Sequence, residues 1–221
     1  MKIALIGYGK MGHIIESIAL ERGHEVVCII DKDNTQDFES VAFASADVAI
    51  EFTTPQTAEN NIMQAWKAGI PVVSGTTGWN VEKFKQLQQT PGLIWSSNYS
   101  IGVNILFELN KRLATYMEAY PEYTPHMTEV HHIHKLDAPS GTAKTLQESI
   151  GSERLPIASI ESIREGEVPG IHTVTWDSEI DTISICHSAK SRNGFALGAV
   201  IAAEWLRNKT GWHEFHEVLG L

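Results

Sequence analysis

"KIALIGYGKMGHIIESIALERGHEVVCIID", residues 2 to 31, decides the fold. "KIALIG" is short and almost wholly apolar, as a central parallel strand buried on both faces must be. Met11, Ile14, Ile15, Ile18 and Ala19 then recur at helical spacing, and Gly23 follows as a natural helix stop. "HEVVCIID" reads as a second buried strand ending in Asp31. Between strand and helix, "GYGKMG" fits G-x-G-x-x-G, with Tyr8, Lys10 and Met11 in its variable positions. Alone the pattern is weak, but here it follows a strand and opens a helix. Gly7 allows the tight turn, Gly9 lets a pyrophosphate approach the backbone, and Gly12 lets helix and strand pack closely. The first helical N–H groups then face the phosphates. Asp31, 19 residues after Gly12, is placed to take the ribose hydroxyls. The unit is expected to bind NADH and/or NADPH. Asp31 favours NADH, because its charge repels a 2′-phosphate, whereas Lys32 would offset that repulsion and admit NADPH.

The alternation continues beyond this unit. "DVAIEFT" (47 to 53) is the next strong strand, only about fifteen residues after Asp31, near the minimum for a parallel crossover. "TAENNIMQAWKAG" reads as a helix and "IPVVSGTTG" as a strand running into a loop. "NVEKFKQLQQ" reads as a short helix with Asn80 as its N-cap, and "GLIWSSNYS" as another strand. Each strand ends in a small polar loop, where ligands bind in open α/β sheets. After about residue 102 the character changes. "GVNILFELNKRLATYM" is one long helix, followed by strand-like runs without helices between them, which suggests an antiparallel or mixed sheet. "GFALGAVIAAEWLRNK" closes the pattern as a helix. The expected fold class is α/β. A Rossmann-like dinucleotide-binding domain with a parallel sheet spans residues 1–102, with 193–221 returning to it. An α+β domain with a mixed sheet, for substrate and oligomerisation, spans 103–192.

Composition excludes several classes. The 221 residues are 43% hydrophobic and 20% charged, an ordinary globular balance. A net charge of -10 argues against general binding to nucleic acid or anionic lipid, so an anionic ligand needs local features to hold it. Cys28 and Cys186 sit inside apolar runs and are expected to be buried free thiols. The apolar run before Gly7 is too short for a signal peptide or a membrane span, so a cytoplasmic location is expected.

"EVHHIHKLDAPSGTAK", residues 129 to 144, packs three histidines and a lysine into five positions. In a strand, His132 and His134 would share one face and His131 the other. A zinc site needs ligands converging from one side, and no cysteine pair or H-E-x-x-H helix supplies them, so no metal is expected. Ser140 is a good N-cap for a helix opened by Gly141 and Thr142, whose N–H groups favour a carboxylate. Imidazole, ammonium and helix start together suit a small anionic substrate, and histidine can give or take a proton near neutral pH.

These residues resemble the dihydrodipicolinate reductase family. "EVHHIHKLDAPSGTA" is similar to the family's signature almost letter for letter. "EFTTP" (51 to 55), "GTTG" (75 to 78), "SSNYSIGVN" (96 to 104), "REGEVPGIHTV" (164 to 174) and "FALGAVIAAEWL" (195 to 206) agree in the right order. The resemblance implies NAD(P)H-dependent reduction of 4-hydroxy-tetrahydrodipicolinate, a small dicarboxylate, to tetrahydrodipicolinate in lysine and diaminopimelate biosynthesis. It implies a homotetramer built by the middle domain. It also implies His131 as proton donor or acceptor and Lys135 as a second proton donor. His132, with Ser140, Gly141 and Thr142, falls to the substrate carboxylate. Gly75 to Thr77 (with Thr76) and Ser96 to Tyr99 (with Ser97 and Asn98) become cofactor loops beside Gly7 to Gly12. His134 is expected to be structural, and Arg164 and Arg192 to serve at the surface. The segment from Asp31 to Asp47 is shorter than in the familiar long members, which implies loss of part of the adenosine-side sheet and helix. Two alternatives remain: another Rossmann amino-acid or aspartate dehydrogenase, and a non-catalytic NAD-binding sensor.

Overall fold

The computed structural model describes residues 1–87, 89–150 and 158–221. Along the chain come β1 (Lys2–Ile6), α1 (Lys10–Glu21), β2 (Glu25–Ile30), a 3-10 turn (Thr35–Glu39), α2 (Val41–Ala44), β3 (Val48–Glu51) and α3 (Ala58–Lys67). Next are β4 (Val72–Ser74), α4 (Glu82–Lys85), β5 (Leu93–Trp95), α5 (Ile101–Met117), β6 (Thr124–His131) and α6 (Gly141–Ile150). The rest are β7 (Ser159–Arg164), β8 (Ile171–Asp177), β9 (Thr182–Ser188), α7 (Asn193–Leu206), β10 (Trp212–Glu214) and α8 (Phe215–Leu219). They form two compact units, one of Met1–Ser100 with Asn193–Leu221, the other of Ile101–Arg192.

The first unit holds a six-stranded sheet in the order β10-β5-β4-β3-β1-β2, every pair parallel. Ile3, Ala4, Leu5 and Ile6 of β1 are all buried, which is why that strand reads as an unbroken apolar run. From β1 the chain moves to β2 on one side and β3 on the other. That reversal opens a crevice at the carboxyl end of β1. The crossover from β2 to β3 is only the 3-10 turn and one turn of helix, α2, capped by Ser40, which accepts from the Phe43 amide. Among the described residues no strand lies beyond β2.

Three sequence expectations are corrected here. The helix expected from Asn80 is one turn, Glu82–Lys85, and its N-cap is Val81. Asn80 stays exposed outside it, and Gln88, in the same stretch, lies outside the described residues. The chain does not close on α7: β10 adds a sixth strand beside β5, Trp212 opposite Leu93, and is too short to show a hydrophobic period. Cys28 is buried as expected, but Cys186 is exposed. Ile185 packs on the core of its unit, so strand alternation turns Cys186 to the other face, beside Thr173.

The second unit holds a four-stranded mixed sheet, β7-β6-β8-β9, in which only β6 and β7 run parallel. Leu106, Ala114 and Met117 of α5, with Leu146 and Ile150 of α6, cover one face and form its core with Met127, Val174 and Trp176. Trp176 is fully buried, and truncating it to alanine should cost about 3–5 kcal/mol. Along β6 the buried positions are Pro125, Met127, Glu129 and His131. The covered face therefore turns from apolar to polar as the strand ends.

Candidate functional site

The first unit carries a cleft of about 380 Å³ lined by Gly9, Lys10, Met11, Phe52, Thr53, Pro55, Gly75, Thr76 and Thr77. These residues come from the loops after β1, β3 and β4, successive along the carboxyl edge of the sheet. The three glycines have separable jobs. Gly7 has φ +92°, and a Cβ there would stand 2.1 Å from the Phe52 carbonyl oxygen. A Cβ on Gly12 would stand 2.5 Å from the Gly7 oxygen. A Cβ on Gly9 would meet nothing within 4 Å. Gly7 and Gly12 are thus needed by the fold, while the space over Gly9 opens onto the cleft at the start of α1. That opening suits a pyrophosphate, so the residues present fit a dinucleotide.

A buried carboxylate braces these loops. Glu51, at the end of β3, accepts from the Thr53 amide (3.0 Å), Ser74 Oγ (2.6 Å), Thr76 Oγ1 (2.8 Å) and the Thr53 hydroxyl. The Thr53 amide also donates to Thr76 Oγ1 at 2.8 Å. Tyr99 is buried, and its hydroxyl donates to the carbonyls of Ser74 (2.9 Å) and Ile94 (3.2 Å). Its side chain therefore braces the loop rather than facing the cleft. Burial, helped by the Glu51 charge, pushes its phenol well above the ordinary range. Ser96 closes the loop after β5, donating to the Asn98 carbonyl (2.9 Å) and accepting from its amide (3.2 Å); Ser97 is exposed. The Tyr8 hydroxyl donates to Glu16. Asp31 is exposed just past β2, where its Oδ1 accepts from the Lys32 amide at 2.9 Å.

The polar cluster of the second unit centres on a residue that sequence reasoning did not single out. Glu129 is fully buried. Its two oxygens accept from the Ser140 amide at 3.0 and 3.1 Å, and Arg164 Nη2 donates to Oε1 at 3.2 Å. His131 Nδ1 lies 3.4 Å and His172 Nε2 3.8 Å from Oε2. Burial pushes the Glu129 carboxyl up, but hydrogen bonds from Ser140, Ser162 and Arg164 outweigh it and hold the group below its ordinary value. Burial lowers the His131 imidazole, Glu129 opposes that shift, and Lys135 and Arg164 reinforce it. His172 is pushed down to about 4 by burial and by its neighbour His131, so it is neutral at physiological pH.

The expected site residues take distinct places around this centre. His131 is buried, with its Nε2 edge against Gly170. His132 lies just past β6, half-buried, its ring 6.0 Å from that of the exposed His134, which pairs with Glu167 at 3.1 Å. Lys135 Nζ reaches Asp137 Oδ1 at 2.7 Å. Ser140 is buried and caps α6, accepting from the Ala143 amide at 3.2 Å. Because the Ser140 amide is committed to Glu129, Gly141 and Thr142 are the members of the turn nearer solvent. Arg164 is not a free surface group. Besides Glu129 it donates to the carbonyls of Asp137 (2.6 Å), Ile163 (2.8 Å) and Lys135 (3.4 Å).

One atom each of Glu129, His131 and His172 lie within 4.8 Å of one another, a spacing a metal could use. The carboxylate, however, already has a guanidinium and an amide on it. A divalent ion would stand close to Arg164, so the cluster reads better as a proton-handling site. Glu129 had a signal in the sequence: it is two residues before His131 on a strand, hence on the same face. Arg164 and His172 had none, since each reaches the cluster only through strand pairing, His131 opposite Arg164 and Glu129 opposite His172.

Residues 1–99 match the family described as "Dihydrodipicolinate reductase, N-terminus", and residues 102–219 match its C-terminus. A 4-hydroxy-tetrahydrodipicolinate reductase of Christiangramia forsetii is 44% identical over 239 residues, covering 99% of this chain and 98% of the relative. The enzyme of the same name from Thermosipho africanus is 34% identical, again over 99% of this chain and 98% of the relative. Among solved structures, a dipicolinate-bound dihydrodipicolinate reductase from Paenisporosarcina superposes with a TM-score of 0.76 over 97% of both chains. At 22% identity that likeness speaks for the fold.

Proposed function

The chain belongs to the dihydrodipicolinate reductase family, and we propose that its two polar clusters divide the work of that family's reaction. It is an NAD(P)H-dependent oxidoreductase that reduces 4-hydroxy-tetrahydrodipicolinate to tetrahydrodipicolinate, a step of lysine biosynthesis. In this reading residues 1–102 with 193–221 bind the cofactor, and residues 103–192 bind substrate and build the oligomer. When bound, the reduced nicotinamide supplies the hydride. The conversion also takes up one proton and releases water, and those steps fall to the chain's own groups.

His131 and Lys135 carry the protons. Both stand at the polar end of β6, one buried beside Glu129 and one held by Asp137. The substrate's two carboxylates account for the density of cationic and N–H groups: His132, Gly141 and Thr142 take one of them, while Ser140 shapes the turn from within. In the first unit Gly9, Lys10, Met11, Gly75, Thr76 and Thr77 receive the pyrophosphate and nicotinamide side, where they line the cleft. Gly7, Gly12 and Tyr99 act there through the backbone and packing, and Tyr8, Ser96, Ser97 and Asn98 border the site. Asp31 holds the ribose and favours NADH over NADPH, with Asp33 and Asp37 adding negative charge to the same turn and Lys32 offsetting part of it.

The single observation that carries this reading is the meeting of Glu129, His131 and Ser140, all from the matched signature, at one buried polar centre, with Lys135 held on Asp137 in the turn that follows. A different amino-acid dehydrogenase does not account for it, nor does a silent NAD-binding sensor, which has no use for two placed proton carriers. The uncovered face of the mixed sheet, bearing His126, Ser184 and Cys186, supports assembly into a homotetramer, which light scattering checks directly. No helix among the described residues is long and apolar enough to cross a membrane, and we place the enzyme in the cytoplasm. The test of function is turnover: purified protein with freshly made 4-hydroxy-tetrahydrodipicolinate should oxidise NADH or NADPH. Tight cofactor binding without turnover would contradict the reading.

A further inference from the structure

We propose that the buried carboxylate of Glu129 is the positioning residue for both proton carriers: it holds His131 with Nδ1 inward and Nε2 outward, and through Arg164 it fixes the turn that bears Lys135. The inference rests on the assignment of His131 and Lys135 as proton carriers.

A carboxylate with no exposed surface is costly unless its oxygens are satisfied. The Ser140 amide is shared between Oε1 and Oε2, at 3.0 and 3.1 Å, Arg164 adds a bond to Oε1 at 3.2 Å, and the His131 and His172 nitrogens approach Oε2. His131 Nδ1 is itself buried with no acceptor aligned on it, an arrangement native proteins rarely leave in place. Glu129 Oε2 stands 3.4 Å from it, and a small rotation of the ring makes that contact an N–H···O bond. With the hydrogen fixed on Nδ1, Nε2 becomes the working atom. Nε2 faces Gly170, the one kind of residue that leaves that edge uncovered. His172, opposite Glu129 on β8, is neutral and brings no charge to compete for the carboxylate.

The second half of the arrangement runs through Arg164. One guanidinium spans Glu129 and the carbonyls of Lys135 and Asp137, so the turn that carries Lys135 hangs from the same buried charge. Asp137 then holds Lys135 Nζ from the far side. The groups whose charge acts on His131 are Glu129 and Asp137, which favour its cation, and Lys135 and Arg164, which oppose it; His172 stands edge-on beside its ring. Removing the Glu129 charge while the two cations stay must lower the pH at which His131 gives up its proton.

The test compares Glu129→Gln and Glu129→Asp with the parent by kinetics across pH and by nitrogen NMR of labelled histidines. Glu129→Gln should lose about 100-fold in kcat. Its cofactor affinity should be unchanged, and the basic limb of kcat/KM should move to lower pH. His131 should also lose its single tautomer. Glu129→Asp should recover part of kcat and return the limb toward the parent. Parent kcat in Glu129→Gln, or a fall with the limb and the tautomer unmoved, would overturn the proposal. If Glu129→Gln does not fold, Glu129→Asp decides: lowered kcat with an exchanging His131 tautomer supports it, and parent behaviour overturns it. Full activity in His131→Gln would instead remove the assignment beneath it.

Discussion

The Nε2 atom of His131 lies where a Cβ on residue 170 would stand 3.2 Å away, and residue 170 is a glycine with φ +150°. Gly170→Ala should therefore cover the working edge of the imidazole and strain the turn before β8. We expect kcat to fall at least about tenfold, since small misplacements at a reacting centre are costly. Cofactor affinity, measured by nucleotide fluorescence, should not change. Parent kcat in this variant would mean that Nε2 is not the working atom.

Gly7 and Gly9 separate fold from ligand in the same motif. Gly7→Ala forces a methyl group to 2.1 Å from the Phe52 oxygen at a positive φ, and should cost about 2 kcal/mol or more of stability. Gly9→Ala has open space around it and should melt like the parent, yet bind NADH about tenfold or more weakly, about 1.4 kcal/mol. Thermal unfolding and a binding titration on both variants check the pair. Unchanged NADH affinity in Gly9→Ala would move the pyrophosphate elsewhere.

Local backbone demands were legible in the sequence, and this explains what could be read. A strand, a G-x-G-x-x-G turn and a helix form one contiguous unit, so "KIALIGYGKMG" announces its geometry, and strand alternation marks the face of His131. Contacts made across the fold were not legible. Arg164 looked like a surface cation because nothing near it in the chain says that it spans Glu129 and two carbonyls about thirty residues away. Cys186 looked buried because "ISICHS" is apolar on average, though a strand covered on one face needs only every second residue apolar. β10 is three residues long, too short for any period to show.

Cofactor choice should follow Asp31. Its exposed carboxylate stands at the end of β2 with Asp33 and Asp37 in the following turn. The parent should use NADH better than NADPH. Asp31→Ala should narrow the ratio of kcat/KM by about tenfold, about 1.4 kcal/mol of relieved repulsion and lost ribose contact. Lys32→Ala should widen it. A parent that prefers NADPH would show that Lys32 dominates.

Stability should fall on mild acidification. His172 has a folded pKa of about 4 against an ordinary 6.5. Between those values the unfolded chain binds a proton that the folded chain does not, so stability is full above pH 6.5 and is lost as pH falls toward 4. The loss from His172 alone is about 3 kcal/mol. His131 and His187, also lowered by burial, act in the same direction. Thermal unfolding from about pH 7 to 5 should show a falling Tm, and His172→Asn should flatten the slope. A Tm independent of pH across that range would contradict the buried neutral state of His172.

The most direct test of the account is the rate of NADH and NADPH oxidation with freshly made 4-hydroxy-tetrahydrodipicolinate, for the parent, His131→Gln and Lys135→Ala. The account predicts rapid oxidation by the parent and a fall of about 100-fold or more in each variant, with cofactor binding intact. Parent-like rates in both variants would contradict it, because the protons would then come from groups other than His131 and Lys135.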